Sequence, residues 1–136
     1  MASTEDRTYP AGRLVKTYTG QITRTHTVAS TLFTLPVGAV PIGLRVINHG
    51  AASNAATNAR ISVGSTGNSS FFLANLDVKS AGALTNGGGG QSVPSSVANL
   101  GTALVFKTNV TGVYAEDGSA SNTGGPWSIL MDVLDI

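Results

Sequence analysis

The segment that decides the fold is WSILMDVLDI, residues 127–136, in which apolar residues recur with the two-residue period of a β-strand. One face of this strand carries Trp127, Ile129, Met131 and Val133, and the opposite face carries Leu130, Leu134 and Ile136. Large apolar residues on both faces are typical of a strand that is covered on both sides. The pattern therefore predicts that this last strand belongs to the core of the protein.

The same period recurs earlier in the chain. Apolar residues alternate with others in the segment 42–47 and again in the segment 59–63. A shorter apolar segment, Thr31 to Leu35, is followed by Pro36 and Pro41, each of which lacks the backbone N–H that a strand ladder needs. These features predict three strands, with a bend between the first and the second.

Two hairpins are also predicted from short apolar runs and turn residues. The first joins residues 14–18 to residues 21–28 through a turn at Thr19-Gly20. The second joins residues 103–107 to residues 110–115 through a tight turn.

The fold class follows from the number and the length of these segments. The chain contains about eight to ten short strands separated by turn residues, and it has no helix-period segment of useful length. We therefore expect an all-β fold, namely a single-domain antiparallel β-sandwich of jelly-roll type. Apolar periodicity begins only at Arg13, so residues 1–12 are predicted to form a flexible N-terminal arm and residues 13–136 the sandwich domain.

Composition excludes several classes of function. The chain of 136 residues has no cysteine, which excludes disulfides, thiolate zinc sites and cysteine nucleophiles. Its net charge is only +1 and its charged fraction is 11%, which argues against binding to nucleic acid through phosphate contacts. No apolar run approaches the length of a membrane-spanning helix, and residues 1–7 do not resemble a signal peptide. We therefore expect neither a nucleic acid nor a membrane as partner.

Groups suited to catalysis are few. His26 and His49 are separated along the chain, and the sequence lacks the Gly-x-Ser-x-Gly motif of a nucleophile elbow. The Gly87–Gly90 run is followed by neither the lysine nor the helix start that a phosphate-binding loop requires. We predict that the protein is not an enzyme and that it binds no cofactor.

The loop from Glu116 to Asn122 is the single candidate metal site, because oxygen ligands of the kind that calcium prefers are concentrated there. The spacing of a calcium-binding loop is absent, and a turn at Asp117-Gly118 explains the same residues. We therefore predict no bound metal.

Two other features bear on binding. Arg7, Arg13, Lys16 and Arg24 all lie within the first 24 residues, an asymmetry that could steer the N-terminal region towards an acidic protein surface. A solvated strand with scattered charges explains the same residues. A carbohydrate-binding module would need an exposed aromatic platform, which only Tyr9, Tyr18, Tyr114 and Trp127 could supply.

Several segments of the chain combine turn residues and strands in a recognisable order. They are TLFTLPVGAV at 31–40 with IGLRV at 42–46, RISVGS at 60–65, Phe72-Leu73 with Asp77-Val78, and Val113-Tyr114 leading to the strand 129–134. Together these segments resemble small structural proteins of tailed bacteriophages. The resemblance runs from about residue 20 to residue 136 and rests on turn residues and strand order. It implies a jelly-roll or sandwich subunit of a virion.

Such a resemblance implies a capsid decoration, or cement, protein that binds the major capsid protein and itself, as a trimer. It would lie on the exterior of the virion after synthesis in the host cytoplasm. The contact arm, argued from its charge and expected flexibility, includes Thr4, Glu5, Asp6, Arg7, Tyr9 and Arg13. The alternatives are a head-fibre or tail component and a carbohydrate-binding, adhesin-like sandwich.

Overall fold

Nine β-strands form two antiparallel sheets in the computed structural model of the protein, which describes residues 7–9, 13–50, 53–55, 57–79, 90–92 and 97–135. The strands are β1 (Arg7–Tyr9), β2 (Arg13–Ile22), β3 (Ser30–Leu35), β4 (Val40–Asn48), β5 (Asn58–Ser65), β6 (Asn68–Asp77), β7 (Gly90–Ser92), β8 (Thr108–Asp117) and β9 (Trp127–Asp135). Within these residues no helix is long and apolar enough to cross a membrane.

The strand order is that of a jelly roll. The five-stranded sheet has the order β1-β2-β9-β4-β7, and the four-stranded sheet has the order β3-β8-β5-β6. The pairs are nested, because β2 pairs with β9, β3 with β8, β4 with β7, and β5 with β6. A long hairpin with its tip between β5 and β6 gives these pairs when it is rolled into two sheets. The prediction of an all-β sandwich of jelly-roll type is confirmed.

The core lies between the two sheets. Trp127, Ile129, Met131 and Val133 of β9 are all completely buried there, as the two-residue period predicts. The four-stranded sheet contributes the buried residues Ala59, Ile61, Val63, Phe72, Leu73, Val110 and Tyr114. The strand that decides the fold thus lies between β2 and β4 in the middle of the five-stranded sheet.

The predicted turn at Thr19-Gly20 is wrong, because β2 continues through both residues and pairs with β9 as far as Ile22. Gly20 has a packing role instead. A Cβ at this position would lie 2.6 Å from the Cβ of Leu32, so glycine allows β3 to cross close to β2. The chain reverses only after Ile22, in the loop 23–29, where the backbone N–H of His26 donates to the Thr23 carbonyl.

The predicted hairpin between residues 103–107 and 110–115 is also wrong. Residues 97–107 form no strand, and β8 pairs with β3 and β5. The Leu104 N–H donates to the Ala39 carbonyl over 2.9 Å, and the Leu104 carbonyl accepts from the Gly38 N–H over 2.8 Å. The backbone groups that a local hairpin would use therefore bond to the turn between β3 and β4.

Loops at the two ends of the sandwich differ in character. We call the end that carries the turns 36–39 and 66–67 and the segment 97–107 the turn end. The opposite end, which carries the loops 23–29 and 118–126 and the described residues between β4 and β5, is the loop end. The start of β2 also lies at the turn end, because Leu14 pairs with Asp135 near the end of β9.

Candidate interaction surface

The predicted contact arm is described only in part. Arg7 and Tyr9 lie in β1, whose backbone pairs with the start of β2, and Arg13 is the first residue of β2. Thr4, Glu5 and Asp6 lie outside the described residues. The structure therefore shows that part of the predicted arm segment extends the five-stranded sheet at its edge.

The four basic residues of the N-terminal region do not form one cluster. Arg24 lies in the loop 23–29 at the loop end, where its Nη1 donates to the Ser121 carbonyl over 2.9 Å. The backbones of Arg7, Arg13 and Lys16 belong to β1 and to the first half of β2. Arg24 thus ties two loops together, away from the start of β2.

Hydrogen bonds within the protein hold the Glu116 side chain in its loop. Its carboxylate accepts two hydrogen bonds from Ser121, from the hydroxyl over 2.7 Å and from the backbone N–H over 2.6 Å. These two bonds, the hydroxyl first, hold the pKa of Glu116 below its ordinary value of 4.5, with smaller contributions from Tyr114 and the charge of Arg24. Partial desolvation opposes them. The carboxylate therefore closes the loop between β8 and β9.

Neighbouring Asp117 forms an ion pair instead. One of its oxygens lies 3.1 Å from Nη1 of Arg60, and both side chains are partly exposed. In the part of the chain that the structure describes, no group of three or more His, Asp or Glu side chains is placed to hold a metal ion. The acidic residues at this loop thus have partners within the protein.

Both histidines form local hydrogen bonds. The Nδ1 atom of His26 accepts from the Thr23 backbone N–H over 2.8 Å, which stabilises the loop 23–29. The Nε2 atom of His49 lies 2.6 Å from the Ser128 hydroxyl. Each imidazole therefore has a structural partner close by.

Aromatic residues do not form an exposed platform in the described region. Trp127 and Tyr114 are buried and stack on each other, with ring centroids 5.4 Å apart. Tyr18 is half-buried and stacks on Phe33 at 5.6 Å. Three of the four residues considered for sugar stacking are thus engaged inside the protein, and the side chain of Tyr9 lies outside the described region.

Three exposed apolar side chains lie at the turn end, where the sequence predicts no site. Val37, Val105 and Phe106 are 64%, 76% and 76% exposed. Leu104 bonds to Gly38 and Ala39 while Thr108 pairs with Leu35, so residues 105 and 106 pass beside the turn that holds Val37. We call Val37, Val105 and Phe106 the apolar tip.

The sequence does not reveal the apolar tip, because residues 103–107 have the composition of a strand. Alternation predicts that such apolar residues face a core, but no strand pairs with this segment in the structure. Lys107, which directly follows Phe106, is a signal that the sequence offers, because lysine is almost never fully buried.

The outer face of β9 gives a second, weaker apolar surface. Leu130 and Leu134 lie on the side of the five-stranded sheet away from the core and are half-buried. Asp132 lies between them, where it accepts from Thr17 over 2.7 Å and pairs with Arg45 over 3.2 Å. In the single chain the second face of β9 is therefore only partly covered, whereas its sequence pattern predicts full burial.

Comparison with known proteins bears on the fold. The sequence matches no known protein-family model and no curated protein. A chain of the cyanophage Pam1 capsid asymmetric unit superposes with a TM-score of 0.58 at 21% identity, over 98% of this chain and 92% of that chain. A chain of the acidic stable capsid structure of Helicobacter pylori bacteriophage KHP30 gives 0.61 at 16% identity, over 88% and 85%. The protein therefore shares its jelly-roll fold, over nearly its whole length, with chains of two phage capsid structures.

Proposed function

We propose that this protein is a structural component of a phage virion and, more specifically, a capsid decoration protein. The observation that carries the proposal is the likeness of its fold to a phage capsid chain over 98% of its length. The resemblance of the segments around residues 31–46 and 60–65 to small phage structural proteins supports the same assignment. Jelly rolls also serve as lectin domains, but the burial of Trp127 and Tyr114 argues against stacking on a sugar here.

The proposed mechanism is multivalent binding. A trimer on the exterior of the capsid would bind several copies of the major capsid protein at once and so oppose the outward pressure of the packaged genome. Contacts made by the second and third subunits are effectively intramolecular, so weak individual contacts give strong overall binding. Cyclic symmetry would let one surface serve equivalent capsid sites.

The N-terminal segment remains part of this proposal. The residues assigned to the capsid are Thr4, Glu5, Asp6, Arg7, Tyr9 and Arg13. Backbone pairing places β1 at an edge of the five-stranded sheet, and an edge is the position from which a segment can reach a neighbouring molecule. The basic residues at positions 7 and 13 fit an acidic partner surface.

Two measurements test the proposed function. We expect light scattering after size exclusion to give three times the 13.7 kDa of one chain. We also expect the purified protein to bind capsids assembled from the major capsid protein of the same genome, and electron cryomicroscopy to show it on their outer surface. Density on a fibre or on the tail instead would support the head-fibre or tail alternative, and absence from every particle would contradict a role in the virion.

A further inference from the structure

We propose that the apolar tip is the surface that docks onto the major capsid protein, with Phe106 as its central anchor. This inference rests on the proposed function and names the contact by which it would operate. The partner surface that fits the tip is an apolar depression with a carboxylate at its rim. The tip supplies the apolar contact and Lys107 supplies the charge.

Exposed apolar residues are concentrated at the turn end. Five large hydrophobic residues in the described part of the chain are exposed, and three of them form the apolar tip. Single exposed apolar residues are ordinary on protein surfaces, but the concentration of three of them at one end of the molecule points to a binding surface. Phe106 is an aromatic residue, and aromatic residues are among the side chains that dominate the cores of protein interfaces.

Hydrogen bonds hold the backbone around the tip before any partner binds. The N–H groups of Gly38 and Leu104 and the N–H of Gly101 all donate to carbonyls across the turn end, over 2.7–2.9 Å. Leu104 packs against the core, so that the chain is anchored immediately before Val105. A surface that is already ordered loses little conformational freedom when it binds, which favours affinity.

The charge beside the tip favours a different protein, rather than a second copy of this chain, as the occupant. Lys107 follows Phe106, is exposed, and has no ion-pair partner among the described side chains. The described side chains of Asp77, Glu116 and Asp117 lie towards the loop end, and Asp132 already binds Arg45. Tips that met around a symmetry axis would bring lysines together without these carboxylates, whereas a carboxylate on another protein would pair with Lys107.

The decisive experiment compares two matched valine variants. Val105 is 76% exposed at the tip and Val28 is 75% exposed in the loop 23–29 at the opposite end, so V105S and V28S make the same change at equal exposure. The full-length variants are mixed with undecorated capsids assembled from the major capsid protein of the same genome, and the bound fraction is measured by co-sedimentation. Solution mass and thermal unfolding are recorded for each variant.

We expect V105S and F106S to bind capsids at least about tenfold more weakly than the unchanged protein, and V28S to bind normally. K107E should also weaken binding, and more so at low salt, because it reverses the charge that faces the carboxylate. All four variants should keep the solution mass and unfolding temperature of the unchanged protein, since these side chains are exposed.

Two results would overturn the assignment of the tip. Equal capsid binding by V105S, F106S and the unchanged protein would show that the tip does not dock. A fall in solution mass on F106S would show that the tip joins copies of this chain. If the unchanged protein did not bind capsids, the proposed function would be wrong, and the assignment of the docking surface with it. This outcome is measured before any variant is compared.

Discussion

Glu116 illustrates, at the scale of the residue, how a carboxylate that resembles a metal ligand in sequence acquires a structural role. Its two oxygens accept from the Ser121 hydroxyl and N–H, and Ser121 also lies 3.2 Å from the Tyr114 hydroxyl. Tyr114 in turn lies 2.7 Å from the buried hydroxyl of Ser53. A single carboxylate thereby joins the loop 118–126 to Ser53, between β4 and β5, and to the core.

Replacing Glu116 by glutamine should make stability less dependent on acid. The folded protein holds the pKa of Glu116 below 4.5, so the unfolded chain binds the proton at a higher pH than the folded chain does. The stabilisation is therefore complete above pH 4.5 and is lost as the pH falls through the folded pKa. Urea unfolding of the unchanged protein and of E116Q, measured between neutral pH and acid, should show the largest stability difference at neutral pH.

The corresponding control is D117N. Asp117 lies next in the chain, pairs with Arg60 on the surface, and should contribute little because exposed ion pairs are weak. A stability difference between E116Q and the unchanged protein that stayed constant with pH would contradict the proposed role of the Glu116 carboxylate.

Among single residues, burial was easier to predict than exposure. The side chains of Ile129 and Val133 were placed in the core correctly, because the period of a strand states which face each residue occupies. The hairpin strand predicted for residues 103–107 includes Phe106, whereas the structure leaves this side chain exposed in a segment that pairs with no strand. Sequence alone does not show that the backbone of Leu104 bonds to Gly38 and Ala39 rather than to a neighbouring strand.

At the scale of the element, the β5–β6 hairpin depends on a close backbone approach at Gly64. This residue pairs with Thr111 in the ladder, and a Cβ added to it would overlap the Asn68 carbonyl oxygen and the Ser69 carbonyl carbon. Both are backbone atoms, so the hairpin cannot relieve the overlap by rotating a side chain. Gly64 is thus required by packing and not by a turn conformation.

We expect G64A to lower the free energy of unfolding by about 1–3 kcal/mol or more, because an atom added to a well-packed region forces the backbone to shift. The matched control is G43A in β4, where the added Cβ would lie 3.6 Å from the Asp132 carboxylate, an ordinary contact. G43A should be neutral or slightly stabilising, because alanine loses less backbone entropy than glycine in a strand. Chemical unfolding of both variants measures the difference, and equal stability of the two would refute the close approach at Gly64.

The elements that were predicted correctly are those with a clear two-residue period, such as β4, β5 and β9. The prediction at Gly20 was wrong because glycine has two structural roles. The sequence predicts a turn at this residue, but glycine also occurs where two backbones pass closely, as β2 and β3 do here. Which use applies depends on the neighbouring strand, and β3 reaches that position only through the three-dimensional fold.

At the scale of the whole molecule, the two ends of the sandwich have different chemical character. The loop end carries the exposed Val28, but its loops are cross-linked by polar groups, including Arg24 to Ser121 and Asn54 to Asn122. The turn end presents the apolar tip and the start of β2. A subunit with this polarity can dock one end while the other remains in solvent, which is what a protein bound to the outside of a shell requires.

The N-terminal segment adjoins the turn end, because β1 pairs with the start of β2. Deleting residues 2–12 removes β1, a three-residue strand at the edge of the sheet whose backbone pairs with β2. We expect the truncated protein to unfold cooperatively, with an unfolding temperature lowered by only a few degrees, because the paired strands β2 to β9 remain. Its capsid affinity should fall at least about tenfold, since each subunit of a trimer would lose a contact.

The dependence of capsid affinity on salt distinguishes binding through the charged side chains of this segment from binding through its backbone. If Arg7 and Arg13 act by attraction to an acidic capsid surface, affinity of the unchanged protein should fall as salt rises, and R7Q/R13Q should fall less. The double variant keeps β1, whose backbone pairing does not depend on these side chains. If the truncated protein bound capsids as well as the unchanged protein, the N-terminal segment would be excluded and the apolar tip would remain as the docking surface. If the truncated protein lost capsid affinity and R7Q/R13Q kept it, the contact would be assigned to the backbone of the segment.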